Sequence, residues 1–277
     1  MESSEAYKKI DPLRGTVRTV MAHDLATEFE KKGAAGAYEV IRQYLEKLNI
    51  TPDFVKQDDE RFASWRQKLN TARGIMISNH PSMIDAPLLS QALTRSDVKL
   101  VVNAGLYKRV EGKTFQDMLI PATTNSLHEV KSMLSSIRAL LLKGGLVWIF
   151  PTGGMEINTG NRESIHFASG FALILKELQP ADMVYSFHIN TQDLLPVGSV
   201  AKINTTFLSG RFLPDELNLA RSKNPVRVRI DESFSEAGEW QDLLKSTGKK
   251  GRNEILTAHY LEQFDIEKDE LGVLNRG

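Results

Sequence analysis

The stretch Gly74-Ile75-Met76-Ile77-Ser78-Asn79-His80-Pro81-Ser82-Met83-Ile84-Asp85 determines how the chain is organised. Its first five residues form a short apolar run after a polar segment, which is typical of a buried strand. Pro81 lacks an amide donor and has a fixed φ, so it suits the first turn of a helix. His80 therefore lies where a strand passes into a helix, and Asp85 lies in or near the first helical turn. From there the Asp85 carboxylate can reach back to one imidazole nitrogen and leave the other for chemistry.

A histidine held in this way by a carboxylate can act as a general base. The carboxylate fixes one tautomer and stabilises the imidazolium, so the second nitrogen can take a proton from a substrate hydroxyl. The alternative is structural: His80 caps the helix, and Asp85 complements the positive end of the helix dipole. For an isolated histidine and aspartate at this spacing, the structural alternative is the stronger one.

A second motif consists of an apolar strand and a glycine-rich turn, Leu146-Val147-Trp148-Ile149-Phe150-Pro151-Thr152-Gly153-Gly154-Met155-Glu156. Together with Asn79-His80-x-x-x-x-Asp85, it resembles the paired signatures of the glycerolipid acyltransferases. The likeness is strongest to the soluble, plastid-type glycerol-3-phosphate acyltransferases and covers roughly residues 72–230. It implies direct transfer of a fatty acyl group from a carrier thioester to the hydroxyl of glycerol 3-phosphate, without a covalent acyl-enzyme.

The resemblance also implies roles for individual residues. His80 and Asp85 would be the catalytic pair, and the amides of Gly153 and Gly154 would bind an anion or a developing oxyanion. Glu156 would orient a hydroxyl or a loop amide, although a solvated loop charge is an equal alternative. The full set of expected substrate-binding residues is Asn79, Ser82, Lys108, Arg109, Thr152, Gly153, Gly154, Glu156 and Arg162.

The second motif departs from the family at the acceptor site. In plastid-type relatives two arginines follow the glycines and hold the phosphate, whereas Met155 and Ile157 stand at the matching positions here. Arg162 is the nearest basic residue after the turn, and Lys108 and Arg109 are equally well explained as solvated charges. The sequence thus leaves open lysophosphatidate or an unphosphorylated acceptor, and also a non-catalytic lipid- or carrier-binding protein.

Composition narrows the classes of function. The 277 residues include 35 basic and 35 acidic side chains, so the formal net charge is zero and argues against a nucleic-acid partner. The absence of cysteine excludes disulfides, thiolate nucleophiles and Cys-ligated metals. We expect no metal and no cofactor, because acyl carrier protein or coenzyme A enters as the thioester donor. A hydrolase is disfavoured, because neither Gly-x-Ser-x-Gly nor His-Glu-x-x-His occurs.

Membrane and targeting signals are weak. The N-terminus is acidic and lacks the apolar core of a signal peptide, and no run approaches the roughly 18 apolar residues of a spanning helix. We therefore expect a cytoplasmic protein, with any membrane contact being peripheral.

Arg227 and Arg229 share one strand face and could join Lys249, Lys250 and Arg252 in a surface for acyl carrier protein, although ordinary exposed charges are the favoured explanation. His188 is more readily explained as a buried structural residue.

Alternating strands and helices predict an α/β fold with a mixed, largely parallel central sheet flanked by helices. We expect a small helical N-terminal cap over residues 1–70 and an acyltransferase domain over residues 71–277. In the cap, Ala35 to Ile50 is an amphipathic helix, and Thr51-Pro52 suggests the start of a further helical turn. The remaining predictions are strands at 74–78, 98–102, 118–121, 146–150, 183–189 and 226–230, a capped helix from Ser126 to Gly144, and helices at 164–178 and 253–264.

Overall fold

The computed structural model describes residues 27–28, 30–47, 49–55, 60–80, 85–108, 113–122, 126–153, 162–163, 165–190, 226–248, 251–264 and 274–275. In chain order the elements are α1 (Ala34–Lys47), β1 (Ile50–Phe54), α2 (Glu60–Thr71), β2 (Gly74–Ser78), α3 (Asp85–Ser90), β3 (Val98–Asn103), α4 (Ala104–Tyr107), α5 (Lys113–Asp117), β4 (Leu119–Ala122), α6 (Leu127–Leu142), β5 (Leu146–Ile149), β6 (Arg162–Glu163), α7 (Ser169–Leu175), β7 (Met183–Ile189), β8 (Val226–Glu236), α8 (Ala237–Ser246), α9 (Arg252–Glu262) and β9 (Leu274–Asn275).

A seven-stranded sheet with the order β1-β8-β7-β2-β5-β3-β4 forms the centre of the fold. Every neighbouring pair in it is parallel except β7 and β8, which are antiparallel. Strands β6 and β9 form a separate antiparallel ribbon. The predicted mixed, largely parallel sheet flanked by helices is confirmed. Because β2 pairs in parallel with both β5 and β7, the carboxyl ends of these three strands meet at one edge.

The buried strand β2 separates two hydrophobic cores. Its alternating side chains contribute Ile75 and Ile77 to one core and Met76 to the other. Helices α6, α7, α8 and α9 cover the first core, and α1, α2 and α3 contribute to the second. All five residues of β2 are buried, as expected for a parallel strand covered on both faces.

Helix α6 has the boundaries that its sequence signals predict. The Ser126 hydroxyl accepts a hydrogen bond from the Glu129 amide at 3.2 Å, which satisfies one of the unpaired donors of the first turn. At the other end Gly144 adopts a φ of +83°, a conformation that glycine takes at little cost. The helix therefore ends in a tight turn that leads directly into β5.

The expected helical turn at Thr51-Pro52 is wrong. Both residues lie in β1, which pairs in parallel with β8, and Pro52 stands opposite Val228. Proline cannot donate to a ladder and is tolerated mainly on edge strands, and β1 is the edge of this sheet. The described part of residues 1–70 therefore contributes a strand to the central sheet in addition to its helices.

The predicted helix over residues 164–178 is only partly confirmed. Helix α7 spans Ser169–Leu175, and Ile165 and Phe167 are buried in the irregular segment before it. The Phe167 amide donates to the Thr257 hydroxyl on α9 at 3.0 Å, so this segment is held by a distant helix instead of continuing its own. None of the helices formed by the described residues has the length and apolar character needed to cross a membrane.

Candidate active site

The two sequence motifs meet at the carboxyl edge of the sheet. His80 follows the end of β2 by two residues, and Phe150 comes directly after β5. After β2 the chain moves outward to β3 and β4, returns to β5 beside β2, and then crosses to β7 on the other side of β2. Ligands of open α/β sheets bind in the crevice that such a reversal of strand order creates. His80 therefore lies at the part of the sheet where a ligand is expected to bind.

His80 and Asp85 are in direct contact. The imidazole Nδ1 lies 2.9 Å from the Asp85 carboxylate oxygen Oδ2, as expected from their spacing. The Asp85 side chain is fully buried at 0 % exposure, whereas the His80 side chain keeps 21 % of its surface exposed. Since an ionised carboxylate can only accept hydrogen bonds, Nδ1 carries the proton and the basic lone pair is on Nε2. Asp85 is the first residue of α3, where a negative charge complements the helix dipole.

An aromatic ring covers one face of the imidazole. The Phe150 ring stacks on His80 with 4.1 Å between ring centroids and 17° between ring planes. Phe150 also lies 6.0 Å from Trp148 in the core beneath. The electron-rich face of a ring attracts a cation, so this stack can stabilise the positive charge that the imidazole acquires when it takes a proton from a substrate. From the sequence, Phe150 was expected only to end a strand; its place beside Pro151 in the second motif was the signal for a functional role.

Asn79 holds the end of β2 against the end of β7. Its side-chain nitrogen donates to the Ile189 carbonyl at 3.0 Å, and its side-chain oxygen accepts from the Ile189 amide at 2.8 Å. The residue is only 1 % exposed. The carboxamide thus replaces a peptide unit and extends the β2–β7 ladder beyond Ser78, the last residue of the strand. This geometry favours a structural role for Asn79 over the substrate contact that we expected.

The turn after β5 uses one of the amides expected to bind an anion. The Gly153 amide donates to the Phe150 carbonyl at 3.0 Å, and Gly153 has a φ of +73°. The Pro151 carbonyl accepts from the Ala168 amide at 2.8 Å, which ties the turn to the segment before α7. Gly153 therefore shapes the turn, and its amide is not the unengaged donor that we expected. Thr152 lies half-buried between Pro151 and Gly153.

The other expected substrate-binding residues are only partly within the described structure. Lys108 is exposed directly after α4, at the edge where β3 ends. Arg162 lies in β6 and pairs with Asn275, but its side chain is outside the described part. Four expected residues and the two apolar replacements of the family's arginines fall outside the described residues altogether: Ser82, Arg109, Gly154, Glu156, Met155 and Ile157.

Two further expectations concern residues away from the His80–Asp85 pair. His188 is buried, and its Nδ1 lies 3.4 Å from the Tyr260 hydroxyl, which agrees with a structural role. Arg227 and Arg229 are exposed on one face of β8, and Arg229 is paired with Asp231 at 2.9 Å. Lys249 and Lys250 lie outside the described residues, so the surface for acyl carrier protein stays a prediction. Among the described residues no group of three or more acidic, cysteine or histidine side chains could hold a metal.

Comparison with known proteins agrees with the chemistry of the site. The acyltransferase family model matches residues 57–192, a span that contains His80, Asp85 and the turn after β5. This match supports assignment of the chain as an acyltransferase. No curated protein matches the chain. The matching solved structures include the 1-acyl-sn-glycerophosphate (LPA) acyltransferase PlsC from Thermotoga maritima, which is 12 % identical over 93 % of this chain and 99 % of that chain, with a TM-score of 0.49.

Proposed function

We propose, from the match of residues 57–192 to the acyltransferase family and from the geometry of His80, that the protein is a glycerolipid O-acyltransferase. It moves a fatty acyl group from an acyl carrier protein or coenzyme A thioester to the hydroxyl of glycerol 3-phosphate, a step of phospholipid synthesis. The observation that carries the proposal is the 2.9 Å contact between His80 Nδ1 and the buried Asp85 carboxylate.

The proposed reaction is a direct transfer. Nε2 of His80 removes the proton of the acceptor hydroxyl while the oxygen attacks the thioester carbonyl carbon. The tetrahedral intermediate then expels the thiolate, which takes the proton from the imidazolium. The products are an ester and a free thiol, and His80 returns to its neutral form. Asp85 keeps the imidazole in the required tautomer and stabilises its positive charge during the reaction.

Direct attack fits the residues that the chain offers. The chain has no cysteine and no Gly-x-Ser-x-Gly nucleophile elbow, so its sequence offers neither of these nucleophiles to carry the acyl group. The burial of Asp85 is costly for an isolated carboxylate, and the hydrogen bond to His80 offsets that cost. The Phe150 stack adds stabilisation of the imidazolium. These features favour catalysis over a non-catalytic binding protein.

The identity of the acceptor is the finer part of the proposal. We favour a phosphorylated acceptor; lysophosphatidate fits as well as glycerol 3-phosphate, and an unphosphorylated glycerolipid is the remaining alternative. A phosphate needs charge-assisted hydrogen bonds, and Lys108, Arg109 and Arg162 are the candidate cations. Arg162→Ala should then raise the KM of the acceptor and leave that of the donor nearly unchanged. Equal use of phosphorylated and unphosphorylated acceptors, with no effect of Arg162→Ala, would contradict a phosphate site.

Thiol release from an acyl thioester tests the class of function. The purified protein is supplied with acyl-carrier-protein or coenzyme A thioesters, alone and together with glycerol 3-phosphate, lysophosphatidate or monoacylglycerol. A transferase releases thiol only when an acceptor is present, and the ester product appears in equal amount. Release that does not depend on an acceptor would indicate a hydrolase, and no release with any pair would indicate a binding protein.

A further inference from the structure

The residue before His80 is anchored by a helix outside the region that matches the family. The backbone amide of Asn79 donates a hydrogen bond of 3.1 Å to the hydroxyl of Tyr260. Tyr260 belongs to α9, whereas the family match ends at residue 192. The two partners are 181 positions apart in the sequence. The last helix of the described fold therefore reaches directly to the loop that carries the proposed base.

The Tyr260 hydroxyl joins two strand ends. It donates its single proton to the Phe187 carbonyl on β7 at 2.6 Å and accepts from the Asn79 amide. At its 3.4 Å separation from His188 Nδ1, the hydroxyl can therefore act only as an acceptor. Tyr260 is fully buried at 0 % exposure, and its ring packs against Phe167 and Phe264. The hydroxyl is thus held at a defined point between the end of β2 and β7.

The hydrogen bonds of Asn79 leave little freedom for the next residue. Its amide is held by Tyr260, and both polar atoms of its side chain are held by Ile189. His80 follows immediately, and its ring is fixed at a second point by Asp85. A small displacement of the backbone at residue 79 would therefore move the imidazole relative to the acceptor hydroxyl. A misplacement of about 1 Å at a reacting group can cost about 100-fold in rate.

We propose that Tyr260 is a positioning residue for His80, acting through the backbone of Asn79. The inference rests on the proposed function, because it assigns Tyr260 a task only if His80 is the base. It gives α9, the last helix among the described residues, a part in catalysis that its amphipathic sequence does not indicate. The competing explanation is that the hydroxyl only stabilises the fold.

The test removes the hydroxyl and keeps the ring. Tyr260→Phe should lower kcat by about 10- to 100-fold, because the loop before His80 loses one fixed point. The KM values of donor and acceptor should stay near wild type. Tyr38→Phe is the matched control: the Tyr38 hydroxyl donates to the Arg95 carbonyl at 3.1 Å, and Arg95 precedes the amino end of β3, whereas His80 follows the carboxyl end of β2. Tyr38→Phe therefore loses a comparable hydrogen bond and should keep the wild-type kcat.

A spectroscopic readout separates positioning from general stability. In the wild type the His80 Nδ1 proton bonded to Asp85 should give a downfield NMR signal, assigned by its loss in His80→Ala. In Tyr260→Phe this signal should shift or broaden at a temperature where the variant is fully folded, whereas Tyr38→Phe should leave it unchanged. In the His80→Ala background, Tyr260→Phe should have no further effect on residual turnover.

Wild-type kcat and an unchanged Nδ1 signal in Tyr260→Phe would overturn the inference. So would equal losses of kcat in Tyr260→Phe and Tyr38→Phe, because the effect would then follow stability alone. The proposed function fails differently: a wild-type protein that releases no thiol in response to any acceptor would reject it, whatever the Nδ1 signal of Tyr260→Phe does. The two failures are therefore distinguishable.

Discussion

Replacing Phe150 by leucine should slow turnover without abolishing it. The change removes the ring that stacks on His80 at 4.1 Å and leaves a shorter apolar side chain without a ring. The Asp85 contact at Nδ1 is not touched by the substitution. The expected loss of kcat therefore measures one interaction, that of the imidazolium with the face of the Phe150 ring.

The size of the loss follows from the exposure of His80. A cation over an aromatic face gains about 0.5–1 kcal/mol at exposed sites and about 2 kcal/mol or more when it is desolvated. His80 is 21 % exposed, between these limits but nearer the buried one. A stabilisation of about 1–2 kcal/mol that is present only when the imidazole is charged lowers kcat by about 5- to 30-fold when it is removed.

Steady-state kinetics with saturating donor and acceptor measures this effect, and two variants control it. Phe150→Tyr keeps the ring and should retain most of the wild-type kcat. Phe171→Leu removes a buried ring on the other face of the sheet, where it lies 5.7 Å from Trp240, and should leave kcat unchanged in the folded protein. Wild-type kcat in Phe150→Leu, or an equal loss in Phe150→Tyr, would refute the proposed role of the stack.

Two further predictions concern the intermediate and the pH dependence of stability. Mass spectrometry of the protein after incubation with acyl donor alone should show no acyl adduct, because attack is direct; a stoichiometric adduct would instead indicate a ping-pong enzyme. Burial lowers the pKa of His259, so the folded state binds fewer protons than the unfolded state, and the free energy of unfolding should fall as pH drops through about 6.5. His259→Gln should weaken that fall in urea unfolding measured on both sides of this pH, and an identical pH dependence in the variant would contradict it.

Local signals predicted the buried strands well. The bounds of β2 and β7 agree with the apolar runs at 74–78 and 183–189, because parallel strands covered on both faces are continuous apolar segments. Helix α6 could also be predicted, because its cap, its apolar face and its terminal glycine lie within one short segment. Each of these features depends on residues that are neighbours in the sequence.

Long-range pairing explains what the sequence analysis missed in the fold. Proline suits both the first turn of a helix and an edge strand, and Thr51-Pro52 gives no local reason to prefer the strand. The choice is made by β8, whose residues Val226–Ile230 pair with β1 from the far end of the chain. The pairing of β1 with β8 cannot be recognised from a single sequence.

The candidate site likewise combines contacts between near neighbours in the sequence, which could be predicted, with contacts between distant residues, which could not. The contact of His80 with Asp85 could be predicted because five positions and a helix start bring the two together. The hydrogen bond from Asn79 to Tyr260 could not, since 181 positions separate them. The hydrogen bond from the Gly153 amide to the Phe150 carbonyl could not be predicted either, because the amides of a glycine-rich turn can point outward or bond within the turn.

Turnover of a folded His80→Ala variant tests the central claim most directly. The acceptor-dependent rate of thiol release is measured at saturating substrates beside the wild type, with circular dichroism and thermal unfolding to establish that the variant is folded. Loss of a general base typically costs about 100- to 10,000-fold, and we predict a loss of that size with the fold intact. A folded His80→Ala variant that turns over at a near wild-type rate would contradict the account.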